Sequence, residues 1–282
     1  MHAFQRTELL VGRDAWQRIA GMRVMVVGVG GVGSFAAEAL ARAGVGHITL
    51  VDFDQVCLTN LNRQLHATRK TVGASKVALM ADRCRSINPK AAVVAEQRFF
   101  DAASSEALLA PGYDCVVDCI DNVTAKVALL AACAARGQRV VSAMGAGGRV
   151  DPTRVRVTDI SRTEKDPLAK VVRNELRARG IQSGIECAWT DEEPATLDEQ
   201  VADDFHCICP WGENDHHSCS HRNVVQGTVS WMPAIFGLML AGVVVNRGIG
   251  QRVLSSDRAR PAHEPRRKKQ RVSARRANSP AS

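Results

Sequence analysis

The stretch Gly28-Val29-Gly30-Gly31-Val32-Gly33 narrows the folds open to this chain more than any other feature. Before it, residues 22–28 (MRVMVVG) read as a short strand buried on both faces. After it, residues 31–43 read as an alanine-rich helix stopped by Gly44 and Gly46, and His47 to Asp52 as a second strand ending on an acid. Strand, glycine turn, helix and strand make a βαβ unit, hence a parallel pair with a right-handed crossover. Such a turn lets the backbone approach phosphate oxygens, while the helix N-terminus supplies N–H groups and a partial positive charge. Taken alone, the turn leaves the nucleotide open. A dinucleotide and a nucleoside triphosphate would use Gly28, Gly30, Gly31 and Gly33 alike, and Asp52 suits a ribose hydroxyl in either case.

The alternation continues downstream. Ser75 caps an expected helix to Ile87, ended by Asn88-Pro89; residues 91–98 and Tyr113 to Ile120 read as strands. Asn122 to Arg136 reads as a helix, and Gln138 to Met144 as a strand closing on Gly145-Ala146-Gly147-Gly148. Beyond Asp151 come a strand over Arg154 to Asp159, a helix from Asp166-Pro167 through Arg179, and an acidic loop over 191–204. The expected fold is α/β: a Rossmann-type, mostly parallel sheet with helices on both faces, plus a C-terminal extension. With 45% hydrophobic residues but one Tyr and four Trp, the core must be built from Val, Ala, Leu and Ile.

The formal charge of +8 is concentrated in one place. Arg258 to Ser282 carries nine Arg and Lys against Glu264, so the body before it is close to neutral. That excess argues for an anionic partner of the tail more than for a basic catalytic surface. The nine cysteines, several in apolar strand and helix patterns, suggest reduced thiols rather than a disulfide framework. No secretory leader is read at the N-terminus.

The residues after the second strand decide the nucleotide. Residues 52–64 read DFDQVCLTNLNRQ, and Lys76 follows Arg63 by 13 positions. A dinucleotide has little need of Asn60, Arg63, Gln64 and Lys76 close behind its ribose acid. A triphosphate needs cationic and amide donors where charge builds during adenylyl transfer. Asp121-Asn122 follows an apolar strand at its C-terminal end, where open α/β sheets bind ligands, and a carboxylate there can hold Mg²⁺.

In order and spacing, GVGGVG, DFD…TNLNRQ, Lys76 and the IDN triplet resemble the ubiquitin-activating-enzyme superfamily, over about residues 6–150. The resemblance implies ATP-dependent adenylation, with Gly31 near the phosphates and Asp52, with Asp54 close by, at the ribose. It places Asn60, Arg63, Gln64 and Lys76 on the triphosphate, and Asp121 on Mg²⁺ with Asn122 beside it. Arg6, in FQRTELLVG, looks like an arginine that members of a homodimer reach across to the partner's ATP.

Superfamily members acting on ubiquitin-like or sulfur-carrier proteins often bind zinc through two CxxC pairs, and this chain has no CxxC. Its second half, GAGGRVDPTRVRVTDISRTEKDPLAKVVRNELRARGI, with Gly184 to Cys187 and the late GTVSWMPAIFGLMLAGVVV, resembles instead the tRNA threonylcarbamoyladenosine dehydratase branch. That extends the likeness over about residues 4–250. It implies that the acid activated is a threonyl carboxylate beside the tRNA anticodon, which then cyclises with loss of water. The alternative is the adenylation of a carrier-protein C-terminus. On this reading residues 1–254 form one adenylating unit: about 1–150 bind nucleotide, about 151–254 face the substrate, and 255–282 are a disordered basic tail.

Four features keep more than one reading. Cys207, Cys209 and Cys219, in HCICPWGENDHHSCSH, are Zn²⁺ candidates or an ordinary reduced loop. Cys187 is a nucleophile or sulfur relay, or else a packed thiol. Residues 224–245 are a buried core or dimer-interface helix, or a membrane-associated one. The tail PRRKKQRVSARR is a nuclear address, an electrostatic tether for RNA, or a disordered end with no selected role. The expected compartment is the cytoplasm, with the nucleus and the mitochondrial outer membrane as alternatives.

Overall fold

Five short apolar strands form the parallel core of a single sheet: β1 (Arg23–Val27), β2 (His47–Val51), β3 (Ala92–Glu96), β4 (Cys115–Asp118) and β5 (Val140–Ala143). Two more, β6 (Val155–Asp159) and β7 (Glu186–Thr190), complete the order β3-β2-β1-β4-β5-β7-β6. All neighbours run parallel except β6, which is antiparallel to β7. The computed structural model describes residues 2–196, 198, 200–201 and 227–250. Strand order reverses between β1 and β4, so the crevice at their C-terminal ends is the place where such sheets bind ligands.

Side-chain alternation along each strand feeds two cores. Val24 and Val26 of β1 pack on one face with α3 (Gly33–Ala43), α4 (Lys76–Ile87) and α8 (Trp231–Gly248), through Ala36, Leu40, Met80, Phe236 and Leu240. Met25 and Val27 pack on the other face with α6 (Val123–Ala135) and α7 (Pro167–Ala178), through Leu129, Leu130, Val172 and Leu176. The expected helices on both faces are therefore present, and the strand runs are continuous because neither face meets water.

The helix α8 begins at Trp231, later than the apolar run from residue 224 suggested. Pro233 sets this boundary. A proline is tolerated in the first turn, where its missing N–H has no intrahelical partner, but deeper in a helix its ring clashes with the preceding turn. By length and composition α8 could cross a membrane, yet Met232, Pro233, Phe236, Gly237, Leu240, Ala241, Val243 and Val244 form a stripe buried in the fold. A Cβ on Gly237 would stand 2.3 Å from the Val32 carbonyl oxygen, so α8 and the start of α3 cross with their backbones in contact. Exposing side chains such as Met232, Phe236 and Leu240 would cost about 1.5–3 kcal/mol each. That stripe is occupied by the fold itself.

Three helices escape the sequence patterns: α1 (Gln5–Val11), α2 (Arg13–Gly21) and the five-residue α5 (Ser105–Leu109). In α1 no residue is buried, and Leu9 and Leu10 are 79% and 85% exposed, so its sequence carries no core-facing stripe to read.

Candidate functional site

The glycine loop between β1 and α3 divides into two kinds of position. Gly28 has φ +87°, and a Cβ there would lie 2.7 Å from the Cys119 carbonyl oxygen; at Gly33 it would lie 1.8 Å from the Gly28 carbonyl oxygen. These two glycines are required by the loop's own packing. Gly30 is different: the nearest atom to a Cβ there is Gln64 Nε2 at 3.8 Å. Its missing side chain leaves room in front of the loop, the cradle that a nucleotide phosphate needs.

Asp52 closes the end of β2 and holds this loop in place. Its Oδ2 accepts the Val29 N–H at 2.6 Å and its Oδ1 the Asp54 N–H at 2.8 Å, and each oxygen keeps a further lone pair for a ribose hydroxyl. Burial pushes the Asp52 carboxyl above the usual carboxylate range, against the opposing pull of Lys76.

Lys76 opens α4 with its ammonium 2.8 Å from Asp54 Oδ2. Burial works against its charge, but Asp52, Asp54 and Asp121 outweigh it and hold its pKa above the ordinary lysine value. One fixed cation among three carboxylates is a site with acidic capacity to spare, suited to a divalent ion and phosphates together. Asn60 is buried, its Oδ1 accepting the Cys57 N–H across the 3-10 turn Leu58–Asn60. Arg63 is half-buried; Nη1 donates to the Thr59 carbonyl and to Asn62 Oδ1, and its Cγ lies over Gly31. Gln64 is buried beside Gly30 with no hydrogen-bond partner for Oε1.

Asp121 is exposed on the turn after β4, and the Asn122 side chain caps α6 by accepting the Ala125 N–H at 3.0 Å. Among the described residues, no three His, Cys, Asp or Glu side chains are grouped to hold a metal by themselves. Mg²⁺ does not require such a cage, because it is commonly bound by one or two carboxylates plus substrate phosphates.

A second wall comes from the later part of the chain. The loop after β5 is tied down by Gly145 N–H to Asp166 Oδ2 (3.1 Å), Arg149 to the Glu192 and Gly147 carbonyls, and Gly148 N–H to the Gly227 carbonyl (2.7 Å). The Trp231 indole donates to the Val150 carbonyl, and Asn62 Nδ2 donates to the Thr228 carbonyl at 2.8 Å. Pro233 reaches the nucleotide loop, its Cβ only 3.1 Å from where a Gly31 Cβ would be. The segment from Gly227 to Pro233 thus bridges the two glycine-rich loops.

The structure brings Gly30, Gly31, Asp52, Asp54, Arg63, Gln64 and Lys76 around one crevice, with Asp121 near enough to act on Lys76 electrostatically. Two candidates are not brought there. Arg6 is exposed on α1 and makes no ion pair among the described residues. Cys187 is fully buried in β7, facing the core under α6 and α7, and burial pushes its thiol far above the ordinary range, surroundings that suit a packed thiol and not an accessible nucleophile. Cys207, Cys209 and Cys219 lie outside the described residues, as does the tail.

Sequence reasoning missed His66, whose two ring nitrogens are buried without partners and whose pKa is lowered to about 4 by burial, Lys76 and Arg83. It also missed the buried Arg149, and Lys126, which is sealed beside Asp118.

Residues 4–281 match the ThiF family. The tRNA threonylcarbamoyladenosine dehydratase of Bacillus subtilis (strain 168) is 41% identical over 245 residues, covering 87% of this chain and 94% of that protein. The molybdopterin-synthase adenylyltransferase of Escherichia coli (strain K12) is 42% identical, but over 129 residues, 46% of this chain and 51% of its own length. A match of that length cannot run from the glycine loop to Pro233. Among solved structures, E. coli tRNA N6-threonylcarbamoyladenosine dehydratase in complex with ATP is 35% identical with a TM-score of 0.75, covering 88% of this chain and 94% of that one. The same protein in complex with AMP gives a TM-score of 0.76. Similarity at this coverage runs through both walls of the crevice, and the chain belongs to the ThiF family, in its tRNA threonylcarbamoyladenosine dehydratase branch.

Proposed function

We propose that this chain is an ATP-dependent tRNA threonylcarbamoyladenosine dehydratase. A threonyl carboxylate oxygen attacks the α-phosphorus of ATP, forming the acyl adenylate and releasing pyrophosphate. The ureido group of the same nucleoside then attacks the activated carbonyl, closing a ring and releasing AMP; the net change is loss of water. The second nucleophile is already tethered to the carbonyl, where proximity alone is a large effect, so no enzyme thiol is required. The burial of Cys187 agrees with that economy.

One observation carries the reading: the 41% identity to the B. subtilis dehydratase spans 87% of the chain and so includes the substrate-side wall, where the superfamily's acyl acceptors differ. In the nucleotide half, Gly30 and Gly31 receive phosphates, Asp52 the ribose, and Asn60, Arg63, Gln64 and Lys76 the triphosphate. The open space at Gly30 supports this placement, with the donor end of the Gln64 amide, Nε2, 3.8 Å from where a Gly30 Cβ would be. Asp121 would hold Mg²⁺, which when bound supplies charge neutralisation on the phosphate oxygens.

Residues 1–254 act as one catalytic unit, and 255–282 as a basic tether that raises affinity for any RNA. A homodimer would let Arg6 of a second copy reach the triphosphate, and the exposed Leu9 and Leu10 beside it suit such a contact. A tRNA substrate implies the cytoplasm. The test is purified chain with ATP, Mg²⁺ and tRNA bearing the modified nucleoside. Cyclised nucleoside and AMP in equal amounts are expected; AMP without cyclised nucleoside, or neither product, would defeat the proposal.

A further inference from the structure

Lys126 is a lysine with no exposed surface, on the first turns of α6, in a helix whose neighbours are almost all apolar. Its ammonium has three acceptors: Asp118 Oδ2 at 2.5 Å, Ser142 Oγ at 3.3 Å and the Ala143 carbonyl at 2.9 Å. Ser142 Oγ in turn donates to Asp118 Oδ2 at 2.5 Å, and Asp118 Oδ1 accepts the Ile120 N–H at 3.0 Å. Every ammonium proton therefore has a partner, and Lys126, Asp118 and Ser142 are all buried completely.

The place of this knot matters more than its strength. Asp118 ends β4 and Ser142 lies near the end of β5, so one cation joins two strand ends at the catalytic edge of the sheet. Through the Ile120 N–H, the knot fixes the turn 119–122 that carries Asp121. The nucleotide loop rests on the same turn: a Gly28 Cβ would meet the Cys119 carbonyl oxygen at 2.7 Å, and a Gly33 Cβ would meet Cys119 Cβ at 3.3 Å. On its other side, β5 runs directly into the Gly145–Gly148 loop of the substrate wall.

We infer that Lys126, with Asp118 and Ser142, is a positioning residue for adenylation, setting the height of the Asp121 turn against the glycine loop. A charge pair with no solvent contact is a weak source of stability in itself, because an apolar replacement of both partners is often neutral or stabilising. Its three-point geometry, by contrast, fixes a turn that apolar packing would leave free to slide. Outer partners of this kind change metal affinity or activity by about 10–100-fold when lost. The inference builds on the proposed Mg²⁺ role of Asp121 but reaches beyond it to the glycine loop.

The experiment compares four full-length chains: the wild type, the double variant Lys126→Met with Asp118→Leu, the single variant Ser142→Ala and the single variant Asp121→Asn. The double variant removes both buried charges together, and Ser142→Ala keeps the ion pair, so a folded protein remains on at least one route. Thermal midpoint is read alongside the Mg²⁺ concentration giving half-maximal AMP release from ATP and modified tRNA. The expected result is about a tenfold rise in that concentration for the double variant and a smaller rise for Ser142→Ala, in protein that melts as the wild type does. Knot variants that melt differently but keep the wild-type Mg²⁺ response would overturn the inference, as would Asp121→Asn shifting the response while both knot variants leave it alone. If the knot variants shift the response and Asp121→Asn does not, the knot stands and the Mg²⁺ role of Asp121 fails.

Discussion

Among the described residues two lysines are nearly or completely buried, both ion-paired with an aspartate, and both early in a helix at the same edge of the sheet. Their surroundings differ. Lys126 has its three acceptors and no contact with water. Lys76 faces three carboxylates, and the side chain of its partner Asp54 is 26% exposed. Buried polar atoms without partners, at Gln64, His66 and Ser75, lie in the chain just before it. A satisfied, sealed charge holds shape. A charge with acids in excess and unfilled neighbours holds a ligand.

That contrast is open to attack by substitution, beginning with the largest effect. Lys126→Met alone leaves Asp118 buried without its cation and should cost about 3–5 kcal/mol in urea unfolding. A loss under 1 kcal/mol would show that the pair is not sealed as described. Lys76→Ala should cost less in unfolding than Lys126→Met, because its partner Asp54 keeps part of its side chain in water, while AMP release falls about 10²–10³-fold, the cost of losing one preorganised electrostatic contact to a transition state. If Lys76→Ala unfolded the protein as Lys126→Met does, the two lysines would be doing the same job.

His66 sharpens the comparison through pH. Its pKa is lowered to about 4 in the folded chain by burial first, then by Lys76 and Arg83. The unfolded chain takes up the imidazole proton near pH 6.5 and the folded chain only near 4, so stability is full above about 6.5 and falls as pH drops. Between pH 7 and 5 this one group should remove about 2 kcal/mol of stability. His66→Leu should flatten that slope relative to the wild type in urea titrations at the two pH values; parallel slopes would place His66 outside the buried cluster. The smallest effect is expected at Cys187, where Cys187→Ala should leave cyclisation within about twofold of the wild type while costing about 1 kcal/mol of packing. A hundredfold loss of turnover there would restore the nucleophile.

What the sequence disclosed follows the same division. Strands such as MRVMVV and DCVVDC are legible because both faces are buried and the apolar run is unbroken. The glycine loop, Asp52, Arg63 and Lys76 are legible because their order along the chain is itself a signature. Lys126 was not: on paper a lysine in a helix marks the solvent side, and only the tertiary fold turns that side toward Asp118. A single lysine in an otherwise apolar helix, eight residues after the aspartate that ends a strand, was nevertheless a usable signal. His66 offered none, since its isolation comes from what packs around it. The first N-terminal helix was invisible because α1 buries nothing within the chain, and α2 buries only Ala15 and Ile19, too few positions to show a periodic stripe.

The central claim is that the crevice activates a carboxylate carried on tRNA. ATP–pyrophosphate exchange tests it most directly, measured with tRNA bearing threonylcarbamoyladenosine, with unmodified tRNA, and with a carrier protein ending in Gly-Gly. The account predicts exchange with the modified tRNA alone, abolished by Lys76→Ala and retained by Cys187→Ala. Exchange driven by the carrier protein and indifferent to the modified tRNA would contradict it.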